Sequence, residues 1–169
     1  MSRKVKFGTV DVSVDGNKLR VGDAAPEFKA IDNELNNFDS SVYKGKIRLI
    51  SVIPSIDTSV CEIQTTMFTK AAEDFSDNVS LITVSNDLPF AQARFTKEKE
   101  ISKNKFVSDY IYHDFAKKYS TLINELQLLN RSVFVIDKDN KIVYAEYLDQ
   151  NTDLPDYEKA IELVKSLDN

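Results

Sequence analysis

Two short runs of apolar residues indicate the buried strands of a sheet. Residues 48–53 are rich in branched side chains and end at Pro54, and residues 79–84 have the same character. Runs of this length and composition are typical of strands that are covered on both faces. Residues 132–137 and 141–148 flank a Lys-Asp-Asn tripeptide, which predicts an antiparallel hairpin later in the chain.

Helical periodicity follows the first of these strands. Five apolar residues recur at steps of three and four, which predicts a helix over residues 59–75 with one inward stripe. The predicted stripe consists of Val60, Ile63, Met67, Ala71 and Phe75.

Three further helices and one short strand are predicted along the chain. Pro89 stands near the start of a helix over residues 88–94, since proline is tolerated in a first helical turn. Residues 106–107 predict a short strand, residues 112–119 predict another helix, and Pro155 opens a closing helix. The apolar residues of the closing helix share one face: Tyr157, Ala160, Ile161, Val164 and Leu167.

The first residues predict a second hairpin. Residues 10–14 alternate valine with polar residues and lead into Asp15-Gly16, a dipeptide that suits a two-residue turn. Residues 18–21 are then expected to return as its second strand. We therefore expect an N-terminal hairpin extension over residues 1–21.

The order of these elements is strand, helix, strand, helix, hairpin and final helix. This order implies a mixed sheet that is covered by helices on both sides. A thioredoxin-like α/β fold satisfies the order, with the hairpin extension at the N-terminus. Neither an internal repeat nor a low-complexity linker divides the chain, so we expect a single domain over residues 1–169.

The composition excludes several classes of protein. Apolar residues make up 42% and charged residues 29% of the 169 residues, which excludes disordered and fibrous proteins. The 22 basic and 27 acidic residues give a net charge of −5, the wrong sign for a protein that grips nucleic-acid phosphates over a broad face. No apolar run approaches the roughly 20 residues of a bilayer-spanning helix, and no export signal follows the basic start. We expect no nucleic-acid partner, no membrane segment and a cytoplasmic location.

Candidate chemistry centres on Cys61, because the chain contains one cysteine and one histidine. A single cysteine excludes an intramolecular disulfide and a cysteine-cluster metal site. We therefore expect neither a metal nor a cofactor.

Cys61 lies in the first turn of the helix predicted from residue 59. If Thr58 is the N-cap, Cys61 is the third helical residue; if Ser59 is the N-cap, Ser59 and Glu62 form a capping box and Cys61 is the second. Both alternatives place Cys61 among unpaired backbone N–H groups at the positive end of the helix dipole, which favours a nucleophilic thiolate. Asp57 and Glu62 would oppose a thiolate if they pointed at the sulfur, so a cation is expected nearby.

Three separated segments of the chain resemble one known family. The motif Pro54-Ser55-Ile56-Asp57-Thr58-Ser59-Val60-Cys61 resembles the active-site motif of the peroxiredoxins. Residues 84–95 and 128–137 resemble the corresponding segments of the bacterial thiol peroxidase (Tpx) subfamily. The resemblance extends over almost the whole chain and implies the thioredoxin-like (peroxiredoxin) fold.

The resemblance implies a role for each of four residues. Cys61 would be the peroxidatic cysteine, and the hydroxyl of Thr58 would form hydrogen bonds to thiolate and peroxide. Arg131 would be the cation that holds the site positive, and Pro54 would shield the sulfur from water. These roles suit the chemistry, because sulfur displaces one peroxide oxygen while negative charge grows on the departing oxygen.

The chain departs from the subfamily at the position of its usual second cysteine. Thr96 follows the Arg-Phe pair after which most relatives carry a resolving cysteine, a difference that we interpret as divergence rather than an engineered replacement. The chain is therefore expected to be a one-cysteine peroxidase whose sulfenic acid is reduced by an external thiol, either thioredoxin or a low-molecular-weight thiol. Asn130 replaces a usual alanine beside Arg131 and is expected to alter how that arginine is held.

The resemblance also implies the substrates and the assembly. Hydrogen peroxide and organic hydroperoxides are the expected substrates, the latter favoured by an apolar surround from Ile56, Val60 and Phe90. A homodimer is expected, with an interface near the active site.

Two other functions compete with peroxide reduction. A cysteine hydrolase would need a base, and the only histidine, His113, shows no tie to Cys61 in the sequence. A degenerate peroxiredoxin fold that acts as a redox sensor or binding module is the stronger alternative. The presence together of Pro54, Thr58, Cys61 and Arg131 argues against it, because a scaffold does not require all four.

Overall fold

A seven-stranded mixed sheet and a separate two-stranded hairpin form the framework of the structure, a computed structural model that describes residues 1–169. The strands are β1 (Ser2–Phe7), β2 (Val10–Asp15), β3 (Lys29–Asp32), β4 (Asn37–Asp39), β5 (Ile47–Val52), β6 (Val79–Ser85), β7 (Lys105–Ser108), β8 (Ser132–Ile136) and β9 (Ile142–Tyr147). The helices are α1 (Ser59–Ala72), α2 (Pro89–Glu98), α3 (Asp114–Lys118) and α4 (Tyr157–Leu167). None of these helices combines the length and the apolar character that are required to span a membrane.

The strand order of the large sheet is β4-β3-β7-β6-β5-β8-β9. β5 lies near the centre, parallel to β6 and antiparallel to β8. All six residues of β5 are buried, as the branched apolar run predicts. The expected mixed sheet and thioredoxin-like fold are therefore confirmed.

Two apolar clusters cover the two faces of the sheet. On one face, Phe68 of α1 and Val164 of α4 pack in the same cluster as Leu49 of β5. On the other face, Phe115 of α3 stacks on Tyr119 with ring centroids 4.3 Å apart, in the cluster that contains Ile50 of β5. The predicted inward face of α4 is confirmed, since its five apolar residues all belong to the first cluster.

The two strands β3 and β4 were absent from the sequence prediction. Both are short, and β4 forms one edge of the sheet. Alternation cannot be detected reliably in three or four residues, and here polar residues dominate the segment between the strands.

The predicted N-terminal hairpin is present, but the prediction of which strands pair in it was wrong. The strand over residues 10–14 is present, but its partner is β1 before it, so the turn falls at Gly8-Thr9 and residues 18–21 form no strand. Gly16 has a different role: it has a φ of 93°, and a Cβ there would lie 2.5 Å from Ser120 Oγ. Close approach of the two segments, rather than a hairpin turn, therefore requires this glycine.

The predicted inward stripe of α1 was also wrong. Ile63 is 45% exposed, whereas the buried residues of α1 include Cys61, Gln64 and Phe68. The true inward face contains polar side chains, so the apolar periodicity pointed to a neighbouring stripe.

Candidate active site

The start of α1 is fixed by a capping hydrogen bond. Thr58 has extended backbone angles, and its Oγ1 accepts a hydrogen bond from the backbone N–H of Cys61 at 3.2 Å. Thr58 is therefore the N-cap, and Cys61 is the third helical residue. The Thr58 hydroxyl donates only a long bond of 3.5 Å, to the carbonyl of Ser55.

The loop between β5 and α1 is held by one carboxylate. Asp87 accepts hydrogen bonds from Ser55 Oγ at 2.8 Å and from the backbone N–H of Ile56 at 2.9 Å. Oδ2, the oxygen that accepts the bond from Ile56, also accepts one from Ser85 Oγ at 2.6 Å, whereas Ser55 bonds Oδ1. Pro54 is buried at the beginning of this loop. Asp87 therefore sets the path by which the chain enters α1.

The sulfur of Cys61 lies at the boundary between an apolar cluster and a cation. The residue is 0% exposed and belongs to a cluster with Ile53, Ile56, Phe95 and Phe106. Its Sγ accepts a hydrogen bond from Nη2 of Arg131 at 3.1 Å. The two expected neighbours of the sulfur are therefore present: the helix N-terminus and a cation.

The guanidinium of Arg131 is buried and has no carboxylate partner. The residue is 1% exposed, and none of the ion pairs in the structure includes it. Nη1 donates to Oε1 of Gln64 at 2.9 Å, and Nε donates to the backbone carbonyl of Asn151 at 2.8 Å. The sulfur of Cys61 is thus the only hydrogen-bond partner of the guanidinium that can carry a negative charge. A thiolate on Cys61 would be paired directly with this buried cation.

Gln64 connects the arginine to the sheet, and sequence reasoning did not identify it. It is fully buried on α1, three residues after Cys61, and its Nε2 donates to Ser51 Oγ at 2.8 Å. Its amide oxygen must face Arg131 because a guanidinium can only donate. The available signal was the spacing, since residues three apart share a helix face.

The two carboxylates next to the site pair with cations on α2 and at its C-cap. Asp57 lies 3.6 Å from Arg94, and Glu62 lies 2.7 Å from Lys99, in ion pairs that are open to solvent. The hydrogen bond from Lys99 to Glu62 raises the pKa of Lys99. The carboxylates therefore have cationic partners of their own, and the cation that the sequence analysis expects beside the sulfur is Arg131.

The other three predicted site residues differ in how they are related to the sulfur of Cys61. Arg131 contacts it directly, and Thr58 binds the backbone of Cys61 rather than its side chain. Pro54 lies buried in the adjoining loop. Of the apolar surround, Ile56 packs in the cluster of Cys61, whereas Phe90 is 68% exposed. Apart from Gln64, the residue that the sequence analysis missed is Asn151.

His113 and Thr96 have local structural roles. His113 occupies the N-cap position of α3 with a φ of 49°, and no hydrogen bond joins it to Cys61. Thr96 lies within α2, where its Oγ1 donates to the carbonyl of Ala93 at 3.0 Å and accepts from Asn33 at 3.3 Å. The hydroxyl at this position is thus satisfied by its own helix and by the neighbouring loop.

Comparison with protein families and sequences gives one consistent result. The sequence profile of the redoxin family matches residues 20–161. A thiol peroxidase of Oceanobacillus iheyensis is 44% identical over 157 residues, which cover 93% of this chain and 95% of that protein. A thiol peroxidase of Bacillus subtilis is 44% identical over 164 residues, which cover 97% of this chain and 98% of that protein.

Solved structures agree with the sequence comparison. A peroxiredoxin-like protein from Aquifex aeolicus superposes with a TM-score of 0.89 at 34% identity, covering 98% of this chain and 97% of that one. A thiol peroxidase from Chromobacterium violaceum has the same fold, with a TM-score of 0.86 at 22% identity over 96% of this chain and 95% of that one.

Proposed function

The chain belongs to the redoxin family, and we propose that it is a thiol-dependent peroxidase in which Cys61 attacks the peroxide. It is similar to thiol peroxidases over nearly their whole length. The observation that carries the role of Cys61 is the 3.1 Å contact between its Sγ and Nη2 of Arg131. This contact joins a buried sulfur at a helix N-terminus to a buried guanidinium that lacks a carboxylate partner. Such surroundings favour an ionised, nucleophilic sulfur.

In the first step the Cys61 thiolate attacks one oxygen of the hydroperoxide ROOH. A sulfur–oxygen bond forms and the oxygen–oxygen bond breaks, so the products are a sulfenic acid on Cys61 and RO⁻, which takes up a proton to become ROH. The sulfur loses two electrons and the peroxide gains them. Negative charge moves from the sulfur to the departing oxygen during this step.

Ionisation alone does not account for a specialised peroxidase. Complete ionisation of an ordinary thiol raises its reactive fraction at neutral pH by only about thirtyfold. We assign the remaining acceleration to donors that favour the transition state. Arg131 has five N–H groups and keeps one free on each Nη nitrogen, and the weakly bonded hydroxyl of Thr58 is available to the peroxide.

Pro54 is proposed to exclude water from the sulfur. It is buried in the loop whose next residues lead to the N-cap, and it has no N–H group that would attract water. A dry site strengthens the interaction of the guanidinium with the charge on sulfur and oxygen.

The sulfenic acid is proposed to be resolved by an external thiol, because the chain has no second cysteine. One thiol condenses with the sulfenic acid to give a mixed disulfide and water, and a second thiol displaces Cys61 as a thiolate. Thioredoxin and a low-molecular-weight thiol both supply this chemistry. The proposed substrates are hydrogen peroxide and organic hydroperoxides, the latter supported by the packing of Ile56 near the sulfur.

Peroxide consumption with dithiothreitol as the reductant tests the proposal. The unmodified protein is expected to consume hydrogen peroxide catalytically, and Cys61→Ser is expected to show only the background rate of the reductant. Equal rates for the two proteins would end the enzymatic interpretation.

The alternative function is a redox sensor or binding module that has lost turnover. The complete burial of the sulfur is the observation that favours it, since a sensor needs only one slow oxidation. Single-turnover oxidation of Cys61 without catalytic consumption of peroxide would support this alternative.

The homodimer, the cytoplasmic location and the single domain remain predictions of the sequence analysis. Sedimentation equilibrium over a range of concentrations tests the homodimer, and a single cooperative unfolding transition followed by two probes tests the single domain. Fractionation of the source cells tests the location.

A further inference from the structure

Arg131 forms hydrogen bonds with one fully buried asparagine, Asn151. The side-chain Oδ1 of Asn151 accepts a hydrogen bond from the backbone N–H of Arg131 at 2.8 Å. The backbone carbonyl of Asn151 accepts a second bond, from Nε of the same arginine at 2.8 Å. Asn151 therefore binds both the backbone and the guanidinium of Arg131.

Asn151 is itself tied to the N-terminal hairpin. Its Nδ2 and its backbone N–H both donate to the carbonyl of Lys6 in β1, each at 2.9 Å. Because an N–H of Arg131 can only donate, the amide oxygen must face Arg131 and the amide nitrogen must face Lys6. The orientation of the side chain is thus determined by its partners.

Asn130 provides a second hydrogen-bonded link between the N-terminal hairpin and Asn151. Its Nδ2 donates to Oδ1 of Asn151 at 2.8 Å and to the carbonyl of Leu148 at 2.9 Å. Its Oδ1 accepts a bond from Nη2 of Arg3 in β1 at 2.9 Å. Asn130 therefore joins Arg3 of β1 to Asn151, next to Arg131.

The bond to Nε matters because it fixes the plane of the guanidinium. With Nε held by Asn151 and Nη1 held by Gln64, Nη2 is left pointing at the sulfur. A guanidinium that lost one of these bonds could rotate and carry Nη2 away from Cys61. Misplacement of a catalytic group by about 1 Å can reduce a rate by about a hundredfold.

We propose that Asn151, held by Asn130 and by strand β1, is a positioning residue that directs the N–H groups of Arg131 at Cys61 and the peroxide. The N-terminal hairpin is then part of the support of the active site. This inference rests on the proposed function, because it needs Arg131 to act on the peroxide.

The test compares two steps of the cycle in Asn151→Ala and in Asn130→Ala. Asn151→Ala keeps the backbone carbonyl that accepts the bond from Nε, but it removes the side-chain bonds to the N–H of Arg131 and to Lys6 that hold this carbonyl in place. The second-order rate constant for oxidation of Cys61 by hydrogen peroxide is expected to fall about thirtyfold in Asn151→Ala and about threefold in Asn130→Ala. The rate at which dithiothreitol reduces the sulfenic acid is expected to stay within about twofold in both variants, since no oxygen–oxygen bond breaks in that step. Asn130→Ala is the milder change, because the Asn130 side chain bonds Asn151 and makes no bond to the guanidinium, so it keeps the proposal testable if Asn151→Ala does not fold.

Asn104→Ala is the matched control. Asn104 is another buried asparagine with two side-chain hydrogen bonds, to Thr83 and Thr69, and it makes none to Arg131. It is expected to lower the melting temperature without changing the peroxide rate constant. Peroxide rate constants within twofold of the unmodified protein in Asn151→Ala, or, where that variant does not fold, in Asn130→Ala, would overturn the proposal. Absence of any Cys61-dependent turnover in the unmodified protein would instead overturn the proposed function.

Discussion

Cys61 and Arg131 meet at 3.1 Å, yet the surroundings that hold the two residues differ in kind. On the sulfur side, α1 and α2 meet through apolar contacts that include Phe95, and through ion pairs such as Lys99 with Glu62 that are open to solvent. On the guanidinium side, every nitrogen of Arg131 has a hydrogen-bond partner inside the protein.

This difference between the two surroundings suggests different mechanical roles for Cys61 and Arg131. Directional hydrogen bonds between buried groups fix an orientation, and leaving one of them unmade is expensive. Apolar contacts are not directional, and exposed ion pairs contribute little. We therefore expect the guanidinium to be rigid and the cover of the sulfur to loosen, because a sulfenic acid on Cys61 must meet an outside thiol.

The largest effect is expected when the guanidinium of Arg131 is replaced, because its N–H donors have a fixed planar geometry. Arg131→Lys keeps the charge but cannot reproduce three bonds in fixed directions. We expect the rate constant for oxidation of Cys61 by peroxide to fall by about 10²- to 10³-fold, measured by stopped-flow mixing. Arg48→Lys is the control, because Arg48 is also buried but bonds Asn140 and the carbonyls of Lys46 and Asp137. A loss below about fivefold in Arg131→Lys would show that charge, not direction, is what matters.

A thiol introduced on α2 tests whether the sulfur side can open. At excess peroxide the unmodified protein is expected to gain about 32 Da as a sulfinic acid, since no internal thiol intercepts the sulfenic acid. Thr96→Cys is expected to lose about 2 Da instead, through a disulfide with Cys61, and to need about tenfold more peroxide for inactivation. Thr66→Cys, exposed on the same rigid helix as Cys61, should form no such disulfide. Identical mass spectra for the unmodified protein and Thr96→Cys would argue against a mobile sulfur side.

Gln64 tests the rigid side with a milder change. Gln64→Leu keeps the volume but leaves Nη1 of Arg131 and the hydroxyl of Ser51 without partners. We expect the peroxide rate constant to fall about tenfold. Ser51→Ala removes only the bond between Gln64 and Ser51, so its peroxide rate constant should stay within about twofold of that of the unmodified protein. Equal losses in both variants would mean that the bond between Gln64 and Ser51, rather than the bond to Arg131, is what matters.

The carboxylate of Asp87, which holds the loop between β5 and α1, is expected to affect protein stability more than the rate of Cys61 oxidation. Asp87→Ala removes the acceptor of three hydrogen bonds, so the free energy of unfolding is expected to fall by about 1–3 kcal/mol in urea titrations. The peroxide rate constant is expected to fall only about threefold, because the cap at Thr58 remains. A rate loss as large as that of Arg131→Lys would contradict the division between the two sides.

The smallest effect is expected at the exposed ion pairs. The double variant Arg94→Ala, Lys99→Ala removes both cations that face Asp57 and Glu62. We expect the peroxide rate constant to change by less than about twofold, and the remaining difference to vanish in about 1 M salt. A large loss that persists in salt would show that these pairs hold the sulfur in place.

Local patterns predicted the central part of the fold well. The branched run before Pro54 identified β5, and the junction after it placed Cys61 in the first turn of α1, with Thr58 and Ser59 as alternative N-caps. Each of these features depends on residues that are adjacent in the sequence, so it can be predicted without knowledge of long-range contacts. The hairpin register was missed because a plausible turn at Asp15-Gly16 competed with the actual turn at Gly8-Thr9.

The support of the site could not be predicted in the same way. Arg131 was found only through resemblance, and its partners Gln64 and Asn151 are far from it and from each other in sequence. A buried polar side chain also hides the periodicity of its helix, which is why the face of α1 that contains Gln64 was assigned wrongly. Only the assembled fold shows that these side chains satisfy one another.

The complete burial of Cys61 sorts electrophiles by size before chemistry decides among them. A bulky fluorescent maleimide should label the native chain far more slowly than hydrogen peroxide oxidises it, because the small peroxide needs a smaller opening to reach the sulfur. A brief survey of cellular thiols made with large reagents would therefore undercount this reactive sulfur.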